Sequence, residues 1–240
     1  MPSAIDTPAK IYAVGVGPGD PELITRKAER ILRQVPVVCA PTGRGEASSY
    51  ALSIVEGLLD RSRQEVLVQV FPMQRDQGAL DPFWREAAAQ VAGRVARGLD
   101  VAFITIGDPF LYSTFLYLYR IFREEYPEIE VEVVPGITSI GAAAAAAGVP
   151  LALTSDRIAI LPATYEEEKL LKTLIDFDTI VLMKVHRVFD RVFEMLKALG
   201  LADKGVFIRR VGSADEEVVR DLASLVGREL DYLSLLIVKK

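Results

Sequence analysis

The chain reads as an α/β protein built in two domains, residues 1–150 on a parallel five-stranded sheet and residues 151–240 on a mixed sheet. Three observations predict this. Five short apolar runs in the first part are separated by helical patterns, the rhythm of βα units joined by right-handed crossovers. The last apolar runs follow one another without helices between them, so the second sheet is partly antiparallel. Half of the 240 residues are apolar, enough to bury a real core in one large domain or two small ones.

Residues 10–16 form the first predicted strand, and residues 22–35 the first helix, with Asp20 as its cap and Pro21 at its first position. Between them lies the glycine-rich turn Gly15-Val-Gly-Pro-Gly19. Such a strand-to-helix turn can hold a phosphate. Here the spacing is G-x-G-x-G, and Pro18 removes an amide that a phosphate needs. A dinucleotide site also wants an acid at the end of the second strand. That strand, residues 35–40, runs into Pro41-Thr42-Gly43 with no acid there. An ordinary nicotinamide site is thereby disfavoured, and so is the usual Rossmann-type methyltransferase.

Residues 48–59 read as a second helix and residues 65–70 as a third strand. Residues 81–98 read as a helix capped by Asp81, with Pro82 first and a buried stripe at Ala87, Val91 and Val95. The fourth strand begins at Val101 and breaks at Gly107-Asp108-Pro109. Its apolar run suits a strand buried on both faces. Gly107 admits a ligand close to the backbone, and Asp108 puts a charge where open α/β sheets bind ligands. An ordinary turn has the same composition. Residues 113–125 form an aromatic helix in which Tyr117 and Tyr119 read as core or interface. Residues 130–134 are the fifth strand. Residues 137–147, almost all small, form a packed helix capped by Thr138 or Ser139, and residues 148–155 connect the domains. Beyond them, strands at 158–161, 179–183, 205–210, 217–220 and 233–238 alternate with helices only at 164–175 and, after Lys184-Val-His-Arg187, up to Leu199.

The balance of 28 basic against 33 acidic residues gives a net charge of −5, which speaks against a generic nucleic-acid binder. The polar N-terminus does not read as a secretory leader. No apolar run reaches the roughly 18 residues of a membrane span. The single cysteine, Cys39, reads as a small buried residue. A soluble cytoplasmic protein is expected.

Three stretches together go further. Val14-Gly-Val-Gly-Pro-Gly-Asp-Pro-Glu-Leu23, Gly107-Asp-Pro-Phe-Leu-Tyr-Ser113 and Val134-Pro-Gly-Ile-Thr-Ser139 resemble the three signature motifs of the tetrapyrrole methylases, the S-adenosylmethionine-dependent enzymes of sirohaem and cobalamin synthesis. The resemblance runs from about Ile11 to the C-terminus. Within the family, residues 107–114 and 232–238 resemble the branch that methylates C20 of precorrin-2 or its cobalt form, cobalt-factor II, in vitamin B12 synthesis. The resemblance implies a tetrapyrrole methylase fold of two α/β domains with a cleft between them, a homodimer, and S-adenosylmethionine folded in the cleft, leaving S-adenosylhomocysteine as product. The cofactor contacts it implies fall on Pro18, Ile106, Gly107, Asp108, Leu111, Thr138, Ser139, Met183, Gly212 and Leu235. No metal is implied.

A sulfonium methyl needs no side-chain activation, and an electron-rich macrocycle attacks it directly. The protein's first task is then alignment at about 3 Å. One proton must leave the carbon afterwards, and Asp108, Tyr112, His186 or water are the candidate acceptors. Arg44, Lys184, Arg187, Arg209 and Arg210 suit the substrate's carboxylates, though each suits a solvated surface equally well. The neighbouring readings are a related methylase acting on another carbon, a diphthamide or ribosomal RNA methylase, and a non-catalytic ligand carrier. An RNA substrate fits poorly with an isoelectric point near 5.1.

Overall fold

A computed structural model of the chain describes residues 8–43, 49–71, 77–163 and 166–240. Contacts divide the chain into two units, residues 1–138 and 139–240. The sequence places the boundary at 150, and the two divisions differ over one helix. That helix, residues Ser139–Ala147, packs on strands of the second sheet and so groups with it.

The first unit holds strands β1 (Ile11–Gly15), β2 (Val37–Gly43), β3 (Glu65–Phe71), β4 (Val101–Thr105) and β5 (Val131–Val134). All pairs are parallel, in the order β3-β2-β4-β1-β5. Side chains of β1, β2 and β4 alternate between two buried faces, as period two requires. Ile11, Val37, Cys39, Val101 and Phe103 pack under α3 (Gln77–Val95) and α4 (Phe115–Glu125). Val14, Val38, Ala40, Ala102, Ile104 and Val134 pack under α1 (Arg26–Gln34) and α2 (Tyr50–Val55). Cys39 is fully buried as expected, and burial pushes its thiol well above the ordinary range.

Two helix starts differ from the sequence reading. Asp20 caps only a single 3₁₀ turn, Pro21–Leu23, by accepting the Glu22 amide at 2.8 Å. The chain then extends at Ile24, and Thr25 recaps it by accepting the Ala28 amide at 3.2 Å, so α1 begins at Arg26. Pro82 lies inside α3 rather than at its first position. Asp81 is therefore no cap, and its carboxylate pairs with Arg85 at 3.0 Å. Ala87, Val91 and Val95 are buried as predicted, and Trp84 is sandwiched between Phe71 and Tyr117 at 4.5 and 4.9 Å. Tyr117 and Tyr119 both pack against this core. The predicted start of α2 at Ser48 and that of the later helix at Thr164 lie outside the described residues.

The second unit holds α5 (Ser139–Ala147), β6 (Ile158–Pro162), α6 (Glu167–Asp176), β7 (Thr179–Met183), α7 (Phe189–Ala198), β8 (Gly205–Arg209), β9 (Glu217–Val219) and β10 (Ser234–Lys239). The sheet order is β6-β7-β10-β8-β9; β6 and β7 run parallel and the other pairs antiparallel. The mixed sheet is thus as expected. Leu161, Ile180, Leu182, Phe207, Leu236 and Val238 face α6 and α7. On the opposite face α5 packs against β8 and β10, and its small residues permit close approach. Arg220 holds its C-terminal end by donating to the Ala147 carbonyl at 2.5 Å.

Candidate active site

The strand order of the first unit fixes where a ligand can sit. β1 and β4 are neighbours, yet α1 and α4 leave them toward opposite faces. A change of face between neighbouring parallel strands marks the place, at their carboxyl ends, where open α/β sheets bind ligands. The glycine-rich turn after β1 and the loop 106–114 after β4 both stand there. β5, the other neighbour of β1, delivers Gly136 to the same place.

Glycine makes the approach of these loops possible. A side-chain carbon on Gly136 would lie 2.0 Å from the Gly107 carbonyl oxygen, and one on Gly15 would lie 2.5 Å from the same atom. The Gly107 amide donates to the Gly17 carbonyl at 2.8 Å and bridges the two loops. Gly107 itself has φ +70°, and the place of its missing side chain faces open space. This is a backbone cradle, tight on two sides and open on the third.

Asp108 fastens it. One carboxylate oxygen accepts the Phe110 amide at 2.8 Å and the other accepts the Gly136 amide at 3.0 Å. The side chain therefore ties the β4 loop to the β5 loop. The loop is closed at its far end by a hydroxyl pair, Thr105 and Ser113, 3.0 Å apart and buried. Tyr112, within this loop, has φ +51° and is 43% exposed. A bulky residue rarely holds that conformation, and strained residues gather at functional loops. Pro18 is buried in the turn after β1, Ile106 and Leu111 are half-buried beside Gly107 and Asp108, and Thr138 follows Gly136. The six predicted contacts of the first unit thus stand on the loops at the ends of β1, β4 and β5.

In the second unit the same logic holds at one end of the three interior strands. Antiparallel register sets Leu235 opposite Met183 on one side and opposite Ile208 on the other. Gly212, with φ +79°, follows the end of β8. Ser139 opens α5, which packs on β8 and β10. Two further strained residues mark this end: Lys184 with φ +57° directly after β7, and Arg210 with φ +47° directly after β8. The sequence gives no sign of either.

The predicted carboxylate-binding residues separate into two kinds. Arg210 is bound to Asp231 at 2.6 Å, and Arg209 lies 3.1 Å from Glu217. Burial acts to raise the Asp231 pKa, but the hydrogen bonds from Arg210 and the Leu233 amide, with the charges of Arg210 and Arg209, hold it below the usual carboxylate range. Lys184 and Arg187 form no ion pair among the described residues. Arg44 lies outside the described residues. His186 lies three residues beyond Met183, with its ring nearly perpendicular to that of Tyr232 at 5.3 Å between centroids. Its Nδ1 is buried without a hydrogen-bond partner. Burial first, then Arg187, lowers its pKa below that of an ordinary imidazole.

The donor set suits a nucleoside sulfonium ligand. It offers main-chain polar groups and small or apolar side chains around a glycine with open space beside it. At the end of β2, Pro41, Thr42 and Gly43 supply no ribose-binding acid.

Comparison with known proteins agrees with this architecture. The family model described as Tetrapyrrole (Corrin/Porphyrin) Methylases matches residues 10–226. The cobalt-precorrin-2 C(20)-methyltransferase of Salmonella typhimurium is 38% identical over 232 residues, covering 96% of each chain. A precorrin-2 C(20)-methyltransferase of a Sinorhizobium species is 34% identical, covering 95% of this chain and 94% of that one. Among solved structures, uroporphyrin-III C-methyl transferase from Thermus thermophilus complexed with S-adenyl homocysteine superposes with a TM-score of 0.68 at 23% identity, over 96% of this chain and 92% of the other.

Proposed function

The chain belongs to the tetrapyrrole (corrin/porphyrin) methylases, and on that footing we propose that it transfers the methyl group of S-adenosylmethionine to C20 of precorrin-2 or of its cobalt form, a step of cobalamin synthesis. The observation that carries the reading is the end-to-end likeness to relatives named for this reaction. The glycine cradle supports it. We assign the donor to Pro18, Ile106, Gly107, Asp108, Leu111 and Thr138 in the first unit and to Ser139, Met183, Gly212 and Leu235 in the second. When bound, S-adenosylmethionine supplies an electrophilic sulfonium methyl.

The protein's own work is orientation. The cradle holds rigid main-chain groups at the strand ends, so little freedom is lost when the reactants align. Asp108 acts by locking the β4 loop to the β5 loop and so fixes Gly107 in place. Lys184 and Arg187 suit the acidic side chains of the macrocycle. None of the helices among the described residues is long and apolar enough to cross a membrane. The proposed working form is a homodimer in the cytoplasm.

The test is incubation with S-adenosylmethionine carrying a ¹³C methyl and either metal-free or cobalt-loaded precorrin-2, with the product carbon located by NMR. One new methyl at C20 is expected. A methyl at another macrocycle carbon would move the chain to a sister activity, and no transfer to either substrate would overturn the assignment.

A further inference from the structure

We propose that His186 is the catalytic base that accepts the proton leaving the methylated ring carbon. The inference rests on the reading of the chain as a C-methyltransferase and deepens it. Methyl transfer forms a carbon–carbon bond with a π pair of the macrocycle, while the sulfur keeps the pair of the broken carbon–sulfur bond. The ring is left cationic, and its new tetrahedral carbon carries both the methyl and a hydrogen. Conjugation returns when the pair of that carbon–hydrogen bond falls back into the ring and the proton passes to an acceptor. The proton on such a cation is acidic, so a weak base suffices.

Of the three candidate side chains, Asp108 already has one amide on each carboxylate oxygen. Those bonds hold the loops together and are weakened by protonation. Tyr112 carries a phenol, which offers a base only when ionised. His186 differs from both. It stands at the end of the sheet that gathers Met183, Gly212 and Leu235, on the turn just beyond Met183. Its Nδ1 is buried with no hydrogen bond, two residues after left-handed Lys184. With Nδ1 buried, Nε2 is the nitrogen assigned to the incoming proton.

The surroundings suit the change of charge. Arg187, on the same turn, opposes protonation, as burial does. Asp231, from the segment before β10, favours it, as the Lys184 carbonyl does. The Tyr232 ring lies nearly perpendicular to the imidazole, 5.3 Å away between centroids. Arg210 and Arg209, from the end of β8, act on Asp231, which is fixed by Arg210 at 2.6 Å and by the Leu233 amide at 2.7 Å. Asp231 is thus an ionised, fixed carboxylate whose charge favours the imidazolium.

The test compares the wild type with His186→Gln and His186→Ala, on substrate carrying hydrogen or deuterium at the methylated carbon. A general base contributes about 100-fold or more. Both variants are expected to lose about that much kcat while binding S-adenosylhomocysteine with unchanged affinity by calorimetry. Proton removal then limits the rate, so a primary isotope effect appears in the variants, and added imidazole restores part of the rate of His186→Ala alone. The base works when neutral and its pKa is depressed, so the wild-type rate falls only below the ordinary imidazole pKa of about 6.5. As the chain has a single histidine, its one imidazole signal in NMR should titrate with the same midpoint in the donor complex. Variants that turn over at the wild-type rate overturn the proposal. So does a loss of rate with no isotope effect and no rescue. A wild type that methylates neither form of precorrin-2 would instead sink the parent reading, and the inference with it.

Discussion

Asp108 gives the clearest difference between what a residue type suggests and what its position makes it do. A carboxylate at the end of a parallel strand invites the role of ligand partner or base. In the fold its two oxygens receive the amides of Phe110 and Gly136, so its first effect is to hold two loops in register. Hydrogen bonds to charged groups are worth about 1.5–3 kcal/mol each. For Asp108→Ala, S-adenosylhomocysteine affinity measured by calorimetry should fall about tenfold or more, a decade being about 1.4 kcal/mol. Asp108→Asn keeps one acceptor oxygen but turns an amide donor toward the other N–H, so it should fall between the two. An Asp108→Ala protein with wild-type affinity would remove Asp108 from the site. The residue type was readable from the Gly-Asp-Pro motif. Its partner across the loops was not, because Gly136 lies 28 positions away and becomes a neighbour only through sheet pairing.

At the scale of elements, the central strands are legible because each is an apolar run that must be buried. Helix starts were less so. Both Asp20 and Thr25 are good caps, and the chain uses both, one for a 3₁₀ turn and one for α1. The glycines after β1, β4 and β5 were visible as composition, but their division of labour was not. Gly136 is required by sterics, since a methyl there meets the Gly107 carbonyl at 2.0 Å. Gly107 is required by conformation alone, with φ +70° and open space beyond. Two substitutions separate these roles. Gly136→Ala forces backbone apart and should cost about 3 kcal/mol of stability in urea unfolding. Gly107→Ala should cost only about 1–2 kcal/mol for the left-handed conformation, yet weaken S-adenosylhomocysteine binding by more than its loss of stability. The reverse order would mean that the open space beside Gly107 is not where the donor lies.

The whole molecule explains why three motifs so far apart in sequence belong together. The order β3-β2-β4-β1-β5 places β1 between β4 and β5, so the turns that follow all three strands emerge side by side. No strand pattern announces that order, which is why the motifs could be recognised as a family set before their meeting point could be derived. In the second unit the antiparallel placement of β10 between β7 and β8 does the same for Met183, Leu235 and Gly212. The expectation of parallel and mixed sheets followed from the presence or absence of helices between strands. The strained residues Tyr112, Lys184 and Arg210 did not, since any residue type can be forced into that region by its neighbours. The central physical claim is that main-chain groups at the strand ends, with no ribose-binding acid, hold the methyl donor. A crystal structure with S-adenosylhomocysteine bound tests it most directly. The account predicts the ligand against the backbone of Ile106, Gly107 and Asp108. A ligand stretched along the end of β2, with its ribose at Thr42 and Gly43 and the space beside Gly107 unfilled, would contradict it.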